Sequence, residues 1–99
     1  MAPKLEKVAE GKFAHRLKRD YNLRAIKFVD PSRRGAPDRI VPLPKGICVF
    51  VEFKRAGEQP RAEQREYAAW LRSMGHIVYC CSYADEALGF VESHLDFRP

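Results

Sequence analysis

The apolar run Ile47-Cys48-Val49-Phe50-Val51, closed by Glu52-Phe53-Lys54, constrains this chain more than any other segment. A run of this length and character reads as a buried strand. A charged pair at the end of such a strand must be compensated by a partner or a metal, because an uncompensated buried charge is costly. A functional site is therefore expected where the strand ends.

Successive side chains on a strand alternate between faces. Ile47, Val49, Val51 and Phe53 are then expected on one face, and Cys48, Phe50, Glu52 and Lys54 on the other. Upstream, Gly35-Ala36-Pro37-Asp38 ends in a carboxylate, and Pro37 fixes its own φ and biases Ala36 toward an extended backbone. Asp38 is expected to open a strand that pairs with the Glu52 strand, so that the two carboxylates converge. Two adjacent carboxylates repel one another, and a hard divalent cation with oxygen ligands relieves that repulsion. Magnesium suits such a pair, since it takes one or two carboxylates and leaves its other positions to water and phosphate. On the residues alone, a turn carboxylate at Asp38 and a cross-strand ion pair at Glu52 and Lys54 remain alternatives.

The ordered set Pro37-Asp38, Glu52-Phe53-Lys54 resembles the PD-(D/E)xK nuclease superfamily. More narrowly, the stretch from Lys27 to Arg39, the strand from Val51 to Lys54, and Gln64 resemble a stand-alone virus-type replication-repair nuclease (VRR-NUC) domain, over about Glu10 to Cys81. The resemblance implies an α/β, restriction-endonuclease-like core in the order α-β-β-β-α-β, with a central mixed sheet flanked by helices and a further C-terminal helix. It also implies catalytic roles for Asp38, Glu52, Lys54 and Gln64. Magnesium, with manganese able to substitute, would be held by Asp38, Glu52 and the backbone carbonyl of Phe53. A first-helix glutamate, Glu10 or alternatively Glu6, would approach the metal. The implied activity is hydrolysis of DNA phosphodiester bonds, directed to branched or junction DNA by a homodimer in a bacterial or phage-infected cell. The competing expectations are a nonenzymatic DNA-binding or recruitment module, and a restriction-type or single-strand nuclease on the same core.

Charge is unevenly placed. The formal net charge is +5, with +6 in the first 39 residues and −1 in the remainder. Such a bias suits a polyanionic partner, with Lys27, Arg33, Arg34 and Arg39 as the expected DNA contacts nearest the carboxylates. A solvated helix face explains part of the same surplus. The three cysteines lack CxxC spacing and the three histidines are dispersed, which argues against zinc and for a reduced, cytoplasmic setting. Neither a membrane span nor a signal peptide is apparent, and no small-molecule cofactor is expected.

At 99 residues the chain reads as a single domain, 1–99, with a limited core that a homo-oligomer would extend. Helical spacing predicts a first helix over Leu5 to Arg19, followed by strands over Leu23 to Val29, Asp38 to Leu43 and Ile47 to Lys54. A helix over Arg61 to Met74 is expected to turn Gln64, Tyr67, Ala68 and Leu71 inward and to end at Gly75. A strand over His76 to Cys81 follows. Ser82 and Asp85 suggest the cap of a last helix ending near Leu95.

Overall fold

The computed structural model describes residues 4–95. Its first helix, α1 (Leu5–Tyr21), buries Ala9, Glu10, Phe13 and Leu17, an i, i+4 stripe that makes it amphipathic despite its many charges. The helix stops at Asn22, which takes a left-handed φ of 56° that asparagine tolerates. The Leu23 N–H then reaches back to the Leu17 carbonyl at 3.4 Å.

That cap shortens the expected first strand. Leu23 closes the helix, and the strand β1 is only Ile26–Lys27, with the Phe28 N–H adding one bond to the Asp38 carbonyl at 3.0 Å. β1 pairs antiparallel with β2 (Arg39–Leu43), which pairs antiparallel with β3 (Ile47–Phe53) across a 3-10 turn at Pro44–Gly46. A helix, α2 (Ala62–Ser73), crosses over to β4 (Ile77–Cys81), which lies parallel to β3. The sheet runs β1-β2-β3-β4 and is mixed, as expected. A last helix, α3 (Ala84–Glu92), completes the α-β-β-β-α-β-α order.

Two further differences from the sequence reading have identifiable reasons, and α3 ends at Glu92, short of Leu95. β4 begins one residue late because the His76 N–H bonds the Leu71 carbonyl at 3.1 Å, closing α2 around Gly75. The cap of α3 is made by Glu86 rather than Asp85. One Glu86 oxygen accepts both the Ser82 and Tyr83 N–H groups at 3.1 Å, whereas Asp85 points to Arg16.

The alternation along β3 divides the interior. Val49, Val51 and Phe53 face Phe13 and Leu17 of α1 and Ala87, Leu88 and Val91 of α3. Phe50 faces the opposite way, onto Tyr67 and Leu71 of α2, with Val78 and Phe28 beside it. Burying each such valine or phenylalanine contributes roughly 1.5–3 kcal/mol, so β3 anchors both layers. Among the described residues, no helix is long and apolar enough to cross a membrane.

Between β1 and β2 the chain is tied to α2 by a small polar knot. The Tyr67 hydroxyl donates to Asp30 at 2.8 Å, while the other Asp30 oxygen accepts the Ser32 N–H and hydroxyl at 3.0 and 2.7 Å. The bonds from Ser32, then from Tyr67, hold the Asp30 carboxyl below the usual carboxylate range. Tyr67→Phe keeps the apolar packing and removes one bond. It is expected to lower the thermal midpoint by a few degrees and to speed protease cleavage between Asp30 and Gly35, both measurable on the purified variant.

Candidate active site

The β2–β3 register places Arg39 opposite Val51, so Asp38 stands one step beyond the last pair, opposite Glu52. Residues opposite one another in an antiparallel pair share a face. β2 begins one residue after the expected start, and on the side of β3 the Asp38 side chain takes the place of a backbone partner while its carbonyl still pairs toward β1. Asp38 Oδ2 accepts the Phe53 N–H at 2.8 Å. The bond satisfies a buried backbone donor and fixes the direction of the carboxylate.

Glu52 is buried at 8% exposure, on the face that packs against α2. There Gln64 holds it with a two-ended amide. The Gln64 Oε1 accepts the Arg61 N–H at 2.8 Å, capping α2, and its Nε2 donates to Glu52 Oε2 at 3.0 Å. Lys54 Nζ lies 4.0 Å from the same Glu52 oxygen. Thus Asp38 arrives from the start of β2, Glu52 from the end of β3, Lys54 from the next residues, and Gln64 from the first turn of α2.

The electrostatics follow from that crowding. Burial, followed by the neighbouring Asp38 charge, lifts the Glu52 carboxyl from its ordinary 4.5 to about 7, against the pull of Lys54 and Arg61. Burial also raises Asp38, while the Phe53 N–H opposes the rise and Glu10 adds to it. Burial disfavours both charges and the Asp38 charge adds to the burden on Glu52, so the site favours a positive charge beside it.

Glu10 meets a different environment. Its Oε2 accepts Arg39 Nε at 2.7 Å and has Lys27 Nζ at 3.7 Å, while Lys7 Nζ is 3.6 Å from its other oxygen. Arg39 is correspondingly occupied, with a second bond from Nη1 to the Ala25 carbonyl at 2.7 Å. Glu6 has a buried oxygen without a hydrogen-bond partner, 4.0 Å from Arg55 Nε. Among the described residues, no three His, Cys, Asp or Glu side chains group as a metal site. The donor set near Glu52 is a carboxylate pair. Oxygen donors in that number fit a hard cation such as Mg²⁺, which keeps most of its shell for water and phosphate.

The fold matches that of a solved structure described as a VRR_NUC domain, with a TM-score of 0.81 over 94% of this chain and 100% of that one. This chain has the VRR-NUC fold. At 23% identity the likeness is one of fold. In sequence, the chain is 52% identical over 54 residues to a protein named "Putative nuclease p44" from Acyrthosiphon pisum secondary endosymbiont phage 1. That match spans 54% of this chain and only 58% of the phage protein. No family model matches the chain.

Within this VRR-NUC-fold domain, Asp38, Glu52, Lys54 and Gln64 come together, whereas Arg33 and Arg34 lie around a shallow hollow with Glu63, Glu66 and Tyr67. Sequence reading missed a set of residues beside Glu52. A cavity of about 220 Å³ opens there, lined in part by Glu52, Gln64, Arg65, Arg72 and Cys80. Cys80 is the parallel partner of Glu52 in the β3–β4 register, and burial together with the Glu52 charge raises its thiol. The i, i+4, i+7, i+11 spacing of Arg61, Arg65, Ala68 and Arg72 is the signal that marks the arginine side of this cavity.

Proposed function

We propose that this chain is a divalent-metal-dependent nuclease of the PD-(D/E)xK type that hydrolyses DNA phosphodiester bonds. The observation that carries the reading is the convergence of Asp38 and Glu52 on one sheet face, with Lys54 and Gln64 beside them. Asp38 and Glu52, with the Phe53 carbonyl, would hold Mg²⁺, or Mn²⁺ in its place. When bound, such an ion supplies Lewis acidity toward phosphate and a lowered pKa for attacking water.

The chain's own groups prepare that chemistry. The Phe53 N–H aims Asp38, and Gln64 holds Glu52 against rotation, so neither carboxylate must reorganise when substrate arrives. Lys54 presents a compact positive charge beside Glu52, suited to the charge that develops on the phosphate. Glu10 serves the site through Arg39, an ion pair that braces α1 against the start of β2 next to Asp38. Lys27, Arg33 and Arg34 are suited to backbone phosphates, with Arg39 acting as a brace. Branched or junction DNA is the substrate in this reading. The protein acts as a homodimer with paired sites, within the cytoplasm of a bacterial or phage-infected cell.

Purified protein is expected to cut flap, splayed-arm or four-way-junction DNA with Mg²⁺ or Mn²⁺ and to stop on chelation. The same ions are expected to raise its thermal midpoint at pH 8, and not that of Asp38→Ala, because they bind the folded pair alone. Cleavage that persists in chelator, or survives Asp38→Ala unchanged, would reject the metal site. Light scattering that finds monomers both free and on DNA would reject the dimer.

A further inference from the structure

The helix α2 segregates its charges along its two long edges. At 100° per residue, Arg61, Arg65, Ala68 and Arg72 fall along one flank of the inward Gln64-Tyr67-Leu71 stripe, and Glu63 and Glu66 along the other. The acidic flank faces the Arg33-Arg34 segment. The basic flank faces β4 and borders the 220 Å³ cavity beside Glu52. In the net charge of the chain's second part the two flanks largely offset one another, three arginines against two glutamates, although they serve opposite sides of one helix.

The guanidinium groups on this flank are held in place and still have donors to offer. Arg72 Nη2 donates to the Val78 carbonyl at 2.7 Å, and Arg65 Nη1 to the Pro60 carbonyl at 2.5 Å. Each guanidinium carries five N–H groups, so these anchors fix its position and leave the rest of the fork for an acceptor such as phosphate. Arg61, Arg65 and Arg72 are all exposed. Arg61 lies near enough for Glu52 to feel its charge, so the row starts at the carboxylates and extends about 16 Å along the helix. Between the arginines the wall is apolar, made by Ala68, Val78, Pro37 and Pro60. The cavity is smaller than the ~300 Å³ lower limit of pockets for drug-sized ligands, which suits one ring system.

We propose that this flank of α2 is a subsite for an unpaired nucleotide next to the cleaved phosphate, with its phosphates on Arg65 and Arg72 and its base in the cavity beside Ala68. The inference rests on the nuclease reading above and names the strand path that serves the same carboxylates. A base enters such a cavity only when it is out of the stack, which costs a few kcal/mol in continuous duplex and less at a frayed or branched position. The subsite therefore selects substrates with an unpaired nucleotide beside the cut.

Two substitutions separate the two halves of the subsite. Arg65→Ala is expected to weaken DNA binding about three- to tenfold and to reduce the slope of log affinity against log salt by about one, on every substrate. Ala68→Leu fills the cavity without altering charge. It is expected to leave the salt slope unchanged and to abolish the preference for a splayed-arm over a fully paired duplex. Thermal melting checks that each variant folds, and Arg65→Lys, which keeps charge without the planar fork, is expected to recover the salt slope but only part of the affinity. If the parent protein cuts DNA and both folded variants match it in affinity, salt slope and substrate preference, the subsite is wrong while the nuclease reading stands. A parent protein that neither binds nor cuts DNA overturns both.

Discussion

Glu52→Gln and Asp38→Asn are each expected to reduce DNA cleavage by about a thousandfold, the scale on which removal of a preorganised electrostatic group acts, while strengthening the fold at pH 8. The second effect has a definite sign. Glu52 titrates at about 7 in the folded chain against an ordinary 4.5, because burial and then Asp38 oppose its charge. The folded state therefore keeps a proton that the unfolded state releases. Stability from this group is fully present below pH 4.5 and is lost as pH rises through 7, an effect of about 3 kcal/mol. Glutamine has no charge to release, so the variant's advantage over the parent is expected to grow between pH 5 and pH 8. Urea unfolding of parent and variant at both values measures this difference and cancels contributions from the other titrating groups. An advantage that does not change with pH would show that Glu52 is not held against its charge. A gain in stability with a loss of activity is the pattern expected of a site whose like charges are kept together for chemistry.

Gly35→Ala is expected to destabilise the fold by about 2–5 kcal/mol, combining a left-handed backbone with a steric clash. Gly35 has φ +94°, and a Cβ there would lie 2.3 Å from the Glu63 carbonyl oxygen and 2.9 Å from the Gln64 nitrogen. Relief requires the first turn of α2 to move, and that turn carries the amide that holds Glu52. Cleavage is therefore expected to fall even at temperatures where the variant remains folded. Gly46→Ala supplies the control, since Gly46 has φ +76° but open space around a Cβ. Its cost comes from backbone conformation alone. Equal denaturation midpoints for the two variants would show that the contact of Gly35 with α2 does not matter.

Much of this architecture is legible in the residues because local and global signals agree. The alternation from Ile47 to Phe53 assigns each side chain to a layer, and the structure keeps every assignment. The Gln64-Tyr67-Ala68-Leu71 stripe likewise turns inward as its spacing requires. The misreadings arise where a polar group substitutes for backbone pairing. Leu23 has the composition of a strand residue, yet its N–H belongs to the helix cap. Asp38 looks like the first residue of a strand, yet its carboxylate takes a ladder position. Arg39, the expected phosphate contact after the motif aspartate, is paired with Glu10 on the opposite face of β2, a partner that its place in the sequence does not announce. The arginine flank of α2 escaped attention for a different reason: regional net charge adds Glu63 and Glu66 to Arg65 and Arg72 without regard to the side of the helix each occupies.

The sheet also separates tasks between its surfaces. Glu52, Gln64 and the arginine flank lie with α2, while the layer formed by α1 and α3 meets the other surface mainly through Phe13, Leu17, Leu88 and Val91. Apolar substitutions that conserve volume are tolerated best in such a layer. Its residues are thus free to drift together over evolutionary time as long as total volume and the Glu10–Arg39 strut persist. Volume-conserving changes behind the sheet would therefore leave Glu52 and its Gln64 tether where they are.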